Sequence, residues 1–362
     1  MVQQIIQYKN KFLDFYQHHE VLVSVIVFAA GFVFDLLTLG RIDDLLNLIQ
    51  QAIYLGALGT LLLMEIRLSI GTLVLTERQQ KFWAYHNLVV HFLFGSLLSA
   101  YTIFYYTSAS ALTSFFFIVL LAGLMLANEI PKIQNLGLPV RVILFCICVL
   151  SYFAFFYPII LGHVGPVPFW LGLLSSIAVL LIGWKYYLKG HEKNPIIKNH
   201  VLLPGLCVHL FFVTGYYTSL IPPVPVAVKK IGVYYSVEKV DGKYIGKHLS
   251  PFWKFWENGS QNFEARPGDK LTVMLAIFSP AHFKDRIILR WYREGTLEDS
   301  IPLTILGGRD EGFRGYGTKQ NYRPGDWEVV VETSDGREVG SITFEIEKDQ
   351  SLNVREFKND VY

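Results

Sequence analysis

The N-terminal part of the chain consists of long apolar segments separated by short polar connections. A helix needs about 20 mostly apolar residues to cross a bilayer. The pattern predicts an α-helical polytopic membrane domain with about seven transmembrane helices, in residues 21–40, 45–64, 84–106, 111–129, 140–161, 167–185 and 201–221. Charged residues crowd both ends of the second segment, so a half-inserted or in-plane helix is the alternative there.

From Ile231 onward, apolar and polar residues alternate and are interrupted by turn sequences. Asp241-Gly242 and Asp335-Gly336 are typical of two-residue hairpin turns. About seven short strands in this part of the chain fit an all-β sandwich of two sheets. Three prolines close to the end of the last apolar segment predict a stiff, extended linker before the first strand.

The pattern therefore divides the chain into five parts. They are an N-terminal segment at 1–20, the membrane domain at 21–221, the linker at 222–230, the β-sandwich at 231–348 and a polar C-terminal tail at 349–362.

Composition supports a membrane class for this chain. Of its 362 residues, 52% are hydrophobic and only 17% are charged, whereas about a quarter of the residues in a soluble domain are charged. Residues 1–228 carry 12 Lys and Arg and 9 Asp and Glu, and the shorter remainder carries 20 and 21. Neither part is strongly basic, which argues against a nucleic-acid partner.

The cysteines and the N-terminus add two expectations. Cys146, Cys148 and Cys207 all lie in apolar segments, so we expect no disulfide framework in the polar domain. The first 20 residues are polar and aromatic, and no small-residue cleavage pattern follows them. We therefore expect no cleavable signal peptide, and the first apolar segment should remain as an anchor.

The distribution of Lys and Arg in short loops predicts the orientation, because positive residues resist translocation. In the seven-helix arrangement, the side of the N-terminus carries eleven such residues and the opposite side carries only Arg41. The N-terminus is therefore expected in the cytoplasm, and residues 222–362 outside it. Removing one helix from the count would reverse this placement.

Ionisable side chains in or beside the apolar segments are candidates for function, because charge is costly inside a bilayer. These candidates are Asp35, Arg41, Asp43, Glu65, His86, His91 and Glu129. The alternative is structural, because most of them lie close enough to a predicted helix end to reach the interface. For Asp35, that alternative is an ion pair with Arg41. His86 and His91 are five residues apart and so face different sides of a helix; we predict no metal site and no cofactor.

The residues richest in possible chemistry in the polar domain lie in and around segment 307–327. Its glycines let the backbone approach a partner, while Arg and Tyr side chains offer paired donors and stacking surfaces. An anionic or sugar ligand would suit them. The candidate ligand-binding residues are Arg290, Arg309, Asp310, Arg314, Tyr316 and Lys319. The alternative is a bulged strand in which Arg309 and Asp310 pair internally.

Two runs, IILRWYREG and GGRDEGFRGYGTKQNYRPGDWEVVVETSDGREVGSITFEI, resemble the DUF2914 domain, a domain of unknown function found in bacterial membrane-attached proteins. GFVFDLLTLGRIDDLL and IPPVPVAVKKIGVYYSV are similar to the multi-span part that accompanies it. The resemblance implies a bacterial inner-membrane protein with a periplasmic β domain, and it implies no activity. The positions that it marks are Trp291, Gly307, Gly308, Arg309, Arg314, Lys319, Gly325 and Trp327.

Two classes of function follow from these observations. The first is a non-enzymatic protein embedded in the lipid bilayer, whose periplasmic sandwich binds an envelope glycan, a lipid headgroup or a protein partner. The second is a transporter or a lipid-processing membrane enzyme that uses the intramembrane polar residues. The second class gains if Asp35, Glu65, His86 and Glu129 line one water-accessible cavity, and loses if they lie at helix ends. A scaffold for another membrane complex is a further alternative, and the sequence predicts no oligomeric state.

Overall fold

The computed structural model describes Val33, Leu37 and residues 39–108, 115–129, 137–185, 190–191, 194–251, 253–254, 256–308, 312–351 and 353–362, without the side chains of 125–129. The chain forms two compact units. The first takes its residues from Met1–Phe104, Phe116–Phe153 and Leu173–Thr214, and the second from Tyr105–Phe115, Ala154–Gly172 and Gly215–Tyr362.

Helices make up the N-terminal region. They are α1 (Leu45–Ser69), α2 (Glu77–Trp83), α3 (His86–Thr107), α4 (Phe115–Glu129), α5 (Leu138–Leu161), α6 (Pro166–Gly183) and α7 (Leu203–Tyr217), with a short turn (Pro195–Ile197) and a π-helix (Lys198–Leu202) before α7. Local signals fix some ends: the Asp44 side chain accepts from the amide of Leu46 before α1, and Thr76 and Gln79 form a capping box at α2.

Five helical stretches among the described residues are long and apolar enough to cross a membrane: Leu45–Ser69, Glu77–Thr107, Leu138–Leu161, Pro166–Gly183 and Pro195–Tyr217. They match the second, third, fifth, sixth and seventh predicted segments. A shorter apolar helix begins at Phe115, in the fourth segment. Most of the first segment lies outside the described residues, so the count of seven and the orientation remain predictions.

Small residues let the helices of the first unit approach one another closely. A Cβ added at Gly59 of α1 would lie 3.1 Å from the ring of Phe145 on α5. A Cβ added at Gly205 of α7 would lie 3.7 Å from the sulfur of Cys146 on α5. Without a hydrophobic driving force between helices in lipid, such close packing is the main source of helix association.

Strands dominate the second unit. They are β1 (Ala227–Tyr234), β2 (Ser236–Val240), β3 (Lys243–His248), β4 (Asn262–Ala265), β5 (Leu271–Phe278), β6 (Lys284–Arg293), β7 (Thr296–Leu306), β8 (Phe313–Lys319), β9 (Gly325–Thr333), β10 (Glu338–Lys348) and β11 (Lys358–Val361). They form three sheets, ordered β1-β5-β8, β4-β10-β9-β6-β7 and β11-β3-β2.

Residues of the first two sheets share one buried core. Along β6, the alternation predicted from the sequence is confirmed, because Ile287, Leu289 and Trp291 are buried. Val273 on β5 and Val329 on β9 belong to the same core. The C-terminal region is therefore β-rich and organised around residues that alternate with the pleat.

The third sheet covers the other face of β5. Met274 and Ala276 are buried there with Tyr234 and Tyr362. The Tyr234 hydroxyl lies 2.9 Å from the Tyr362 hydroxyl and donates to Asp360 at 2.7 Å. Strand β11 thus lies in the segment that the sequence analysis assigns to a polar tail.

One end of the β region contacts helix ends within the second unit. The amide of Lys284 donates to the carbonyl of Gly162, just after α5, at 2.8 Å, and the amide of Val164 donates to Asp285 at 3.0 Å. The hydroxyl of Tyr216, in the last turn of α7, donates to Asp335 at 2.8 Å. We call this end of the β region, with the starts of β1 and β6 and the β9–β10 turn, the helix-proximal end.

Stacking and charge strengthen the contact at Tyr216. Its ring lies between Phe169 of α6, at 3.9 Å, and the guanidinium of Arg337, at 4.7 Å. Arg337 also pairs with Asp335 at 2.8 Å. Burial raises the pKa of Asp335, but Arg337 and the hydrogen bonds from Thr333, Tyr216 and Arg337 outweigh it, so this pKa lies below its ordinary value. Asp335 is therefore ionised at neutral pH and holds these groups together.

Candidate basic pocket

Four basic side chains from three strands line one pocket of about 270 Å³. They are Lys229 and Lys230 of β1, Lys243 of β3 and Arg314 of β8. Ala276, Val361 and Tyr362 complete the lining, which contains no carboxylate side chain among the described residues. We call this site the basic pocket.

Strand register explains how distant residues come together here. Ala276 of β5 pairs with Lys230 on one side and with Arg314 on the other. Adjacent strands are about 4.8 Å apart, so the backbones of Lys230 and Arg314 lie roughly 10 Å from each other, one on each side of Ala276. The methyl group of Ala276 leaves room between them. Two long cations on either side of a small residue form a concave, positive surface.

One carboxylate lies beside the pocket and balances part of its charge. Asp360 is 3.8 Å from the ammonium of Lys230 and 3.6 Å from His248. Burial lowers the pKa of His248, opposed by Asp360, which favours the neutral imidazole at pH 7. The ammonium of Lys230 also lies 4.3 Å from the ring centroid of Tyr362. Asp360 therefore offsets part of the positive charge that Lys230 brings to the pocket.

The pocket lies towards the helix-proximal end. Lys229 and Lys230 are among the first residues of β1, which follows the linker after α7. Arg314 is the second residue of β8, just after the loop that begins at Gly307. The amide of Gly307 donates to the carbonyl of Phe283 at 2.8 Å, and a Cβ at this glycine would overlap the Pro280 carbonyl. Gly307 is thus held against the segment that contacts Gly162.

A comparison of the sequence with known protein families matches a segment that includes Arg314. Residues 284–346 match DUF2914. The matched model is described as a protein of unknown function. The resemblance inferred from the sequence is confirmed for this segment, which runs from the start of β6 into β10. No curated protein matches the chain.

The DUF2914 segment contributes Arg314 to the basic pocket, whereas the three lysines precede it. Arg314 and Tyr316 share one face of β8, and the Tyr316 ring lies 6.4 Å from that of Tyr244. An aromatic pair thus lies next to a cation on this face. The structure brings these two predicted ligand-binding residues together.

Two other predicted ligand-binding residues lie elsewhere. Lys319 is five residues from Arg314 on β8 and faces the opposite side, where it is 4% exposed and pairs with Asp299 at 3.0 Å. The hydrogen bond that Lys319 donates to Asp299 lowers the pKa of this carboxyl group. Arg290 lies in the five-stranded sheet and pairs with Glu332 at 2.5 Å. Arg309 and Asp310 lie outside the described residues.

The intramembrane candidates lie near helix ends. Arg41 pairs with Asp43 at 2.9 Å, just before α1. Near the end of α1, Glu65 pairs with Arg141 of α5 at 2.7 Å. Arg141 also donates to the side-chain oxygen of Asn87, at the start of α3, at 2.8 Å. The sequence singled out Glu65 without finding its partner Arg141, or the bond from Arg141 to Asn87.

The other intramembrane candidates are two histidines and two carboxylates. His86 begins α3, stacks on Trp83 at 4.1 Å and has its Nδ1 2.6 Å from the Trp83 carbonyl. His91 is half-buried on α3. Asp35 and the side chain of Glu129 lie outside the described residues. In the described part of the chain, no group of three His, Cys, Asp or Glu side chains has the arrangement of a metal site.

A further polar contact between helices lies inside the first unit. His209 Nδ1 is 2.8 Å from the carbonyl of Gly205, and its Nε2 is 3.1 Å from the Ser176 hydroxyl. A carbonyl only accepts, so Nδ1 carries the proton and the Ser176 hydroxyl donates to Nε2. This bond joins α6 to α7 and is a typical interhelical hydrogen bond. The sequence offered only the polar character of His209 as a signal.

Proposed function

We propose that this chain is a bacterial inner-membrane protein whose periplasmic β-sandwich binds the anionic headgroup of a membrane lipid. About seven helices anchor it, with the N-terminus in the cytoplasm, and the protein is not an enzyme. The observation that carries this proposal is the basic pocket, with four cations near the end of the β region that contacts helix ends.

The chemistry of the pocket suits a phosphate group. The planar guanidinium of Arg314 offers paired donors that match phosphate oxygens, and the lysines add mobile point charges. Each Lys or Arg close to an anionic membrane surface contributes about 1 kcal/mol to attraction. Four such side chains together would attract a headgroup phosphate to the pocket.

Size and position favour a lipid headgroup over the other predicted partners. A pocket of about 270 Å³ is at the lower limit for a small-molecule site and suits a phosphate with a short polar group. A protein partner would need a surface of about 800 Å². The helix-proximal position would bring the headgroup within reach while its acyl chains remain in the bilayer.

The described geometry of the intramembrane residues lends no support to a transporter or a lipid-processing enzyme. Glu65 and Arg141 satisfy each other's charge, and Arg41 pairs with Asp43. His86 is the first residue of its helix. Polar groups at helix ends are compatible with anchoring and orientation of the bundle.

The test is a titration of the purified full-length protein with short-chain phosphatidylglycerol and, separately, with short-chain phosphatidylcholine. We expect tighter binding of the anionic lipid, and about a tenfold loss for Arg314→Ala or Lys230→Ala, equivalent to about 1.4 kcal/mol. Lys270→Ala, which removes an exposed cation outside the pocket, is the matched control.

Three results would contradict this proposal. Equal binding of the two lipids would remove the anionic headgroup as the ligand. An equal loss for Lys270→Ala would show that general charge, not the pocket, attracts the lipid. If inorganic phosphate displaces the lipid at equal concentration, the site binds free phosphate instead of a headgroup.

A further inference from the structure

Two exposed tryptophans project from the loop between β3 and β4. Trp253 is 54% exposed and Trp256 is 62% exposed. Their ring centroids are 6.1 Å apart, and their planes are tilted by 58°. Tryptophan is usually largely buried, and exposed aromatic surface commonly marks a site of interaction. The basic pocket makes no use of either residue.

Hydrogen bonds close the neck of this loop. The hydroxyl of Ser250 donates to the carbonyl of Gly259, and the amide of Leu249 donates to the hydroxyl of Ser260 at 2.8 Å. Gly259 has a φ of +73°, and a Cβ there would overlap the Val233 carbonyl. Only glycine fits this position comfortably. The neck of the loop is therefore held in shape before any ligand arrives, which lowers the entropic cost of binding.

A salt bridge lies beside the two indoles. Lys254 pairs with Glu257 at 3.0 Å, and its ammonium lies 5.7 Å from the centroid of the Trp253 ring. Both charged side chains are mostly buried in this arrangement. The two indoles thus stand beside charged and hydrogen-bonding groups.

The loop lies away from the helix-proximal end. Its neck pairs with Val233, the seventh residue of β1, whereas the helix contacts lie near the opposite end of the strands. At about 3.3 Å per residue, Val233 is roughly 20 Å along β1 from Ala227. This position argues against anchoring the indoles in the bilayer that holds the helices, although tryptophan often serves that role.

We propose that Trp253 and Trp256 form a carbohydrate-binding surface for a linear glycan. The flat face of an indole accepts the C–H groups of a sugar ring, and two tilted rings can stack on successive sugars. The pair exposes roughly 250 Å² of aromatic surface, well below the 800 Å² or so that a stable protein interface buries on each side. The neighbouring half-buried Asn258 can bond to a sugar hydroxyl.

The glycan surface is independent of the proposed lipid site. Together, the two sites would let one β region contact a lipid headgroup at one end and a glycan at the other. The glycan proposal can therefore fail while the lipid proposal stands, and the reverse is equally possible.

Calorimetry on the full-length protein in nanodiscs of phosphatidylcholine provides the test. The probes are a β-1,4-linked tetramer of N-acetylglucosamine and an α-1,4-linked hexamer of glucose. We expect at least one of them to bind, with about a tenfold loss of affinity for Trp253→Ala and for Trp256→Ala, as typical of a lost stacking platform. Trp253→Phe and Trp256→Phe should retain most of the affinity.

Matched variants make the result specific. Leu297→Ala, at an exposed residue of β7, and Arg314→Ala should leave glycan binding unchanged. The proposal is overturned if neither oligosaccharide binds, or if both tryptophan-to-alanine variants bind as the parent does. It is also overturned if these variants lose adhesion to lipid vesicles instead, because the loop would then be a lipid contact.

Discussion

Replacing Trp291 with alanine should cost the β region about 4 kcal/mol of its free energy of unfolding. Trp291 is fully buried in the core shared by two sheets, edge-on to Phe344 at 6.4 Å. Strand β8 packs closely on this core, because a Cβ at Gly317 would lie 3.1 Å from the Leu289 side chain and 3.3 Å from that of Ile301. Removing the indole leaves a cavity that this interlocked core cannot close.

Hydrogen exchange of the β6 and β9 amides in the full-length protein would measure this loss. The indole N–H of Trp291 has no hydrogen-bond partner among the described residues, so Trp291→Phe removes an unsatisfied group along with volume. We expect the phenylalanine variant to lose much less stability than the alanine variant. Leu297→Ala, at an exposed position, is the control. Equal protection in parent and Trp291→Ala would contradict the assigned core.

Replacing Arg141 with alanine should destabilise the helix bundle by about 3 kcal/mol. The Arg141 side chain is 10% exposed and that of Glu65 is 18% exposed, so solvent screens their pair only weakly. Loss of Arg141 leaves the Glu65 carboxylate without its partner and also frees Asn87. An unpaired charge in such a place is costly, which is why the single substitution should be severe.

A double-mutant cycle separates this effect from lost packing. Glu65→Gln combined with Arg141→Ala removes both charges, and the double variant should be more stable than Arg141→Ala alone. Denaturation of the purified protein in sodium dodecyl sulfate would report the free energies. Additive losses of the single and double variants would show that the two residues are not coupled.

The parts of the fold that depend on local pattern could be predicted from the sequence. Apolar length is a property of one segment, so five of the predicted helices reappear as stretches able to cross a membrane. Alternation along β6 placed Trp291 on the buried face for the same reason. The tail was different: β11 contains Asn359 and Asp360, residue types that are depleted in strands, so its pairing with β3 had no local signal.

The candidate site depended on contacts between distant parts of the chain. Arg314 and Tyr316 were found together because they are two residues apart on one strand. Lys319 is an odd number of positions from Arg314, so alternation alone would have placed it on the other face. Lys230 could not be found this way, because only the register of β1 and β8 on either side of Ala276 brings it to the pocket.

The most direct test of the account is whether the basic pocket faces the membrane surface and the tryptophan loop does not. Fluorophores attached through Lys243→Cys or Trp256→Cys, with the exposed Cys207 replaced by serine, would be compared in vesicles whose lipids carry a quencher on the headgroup. The account predicts strong quenching at position 243 and little at position 256. Equal quenching, or stronger quenching at position 256, would contradict it.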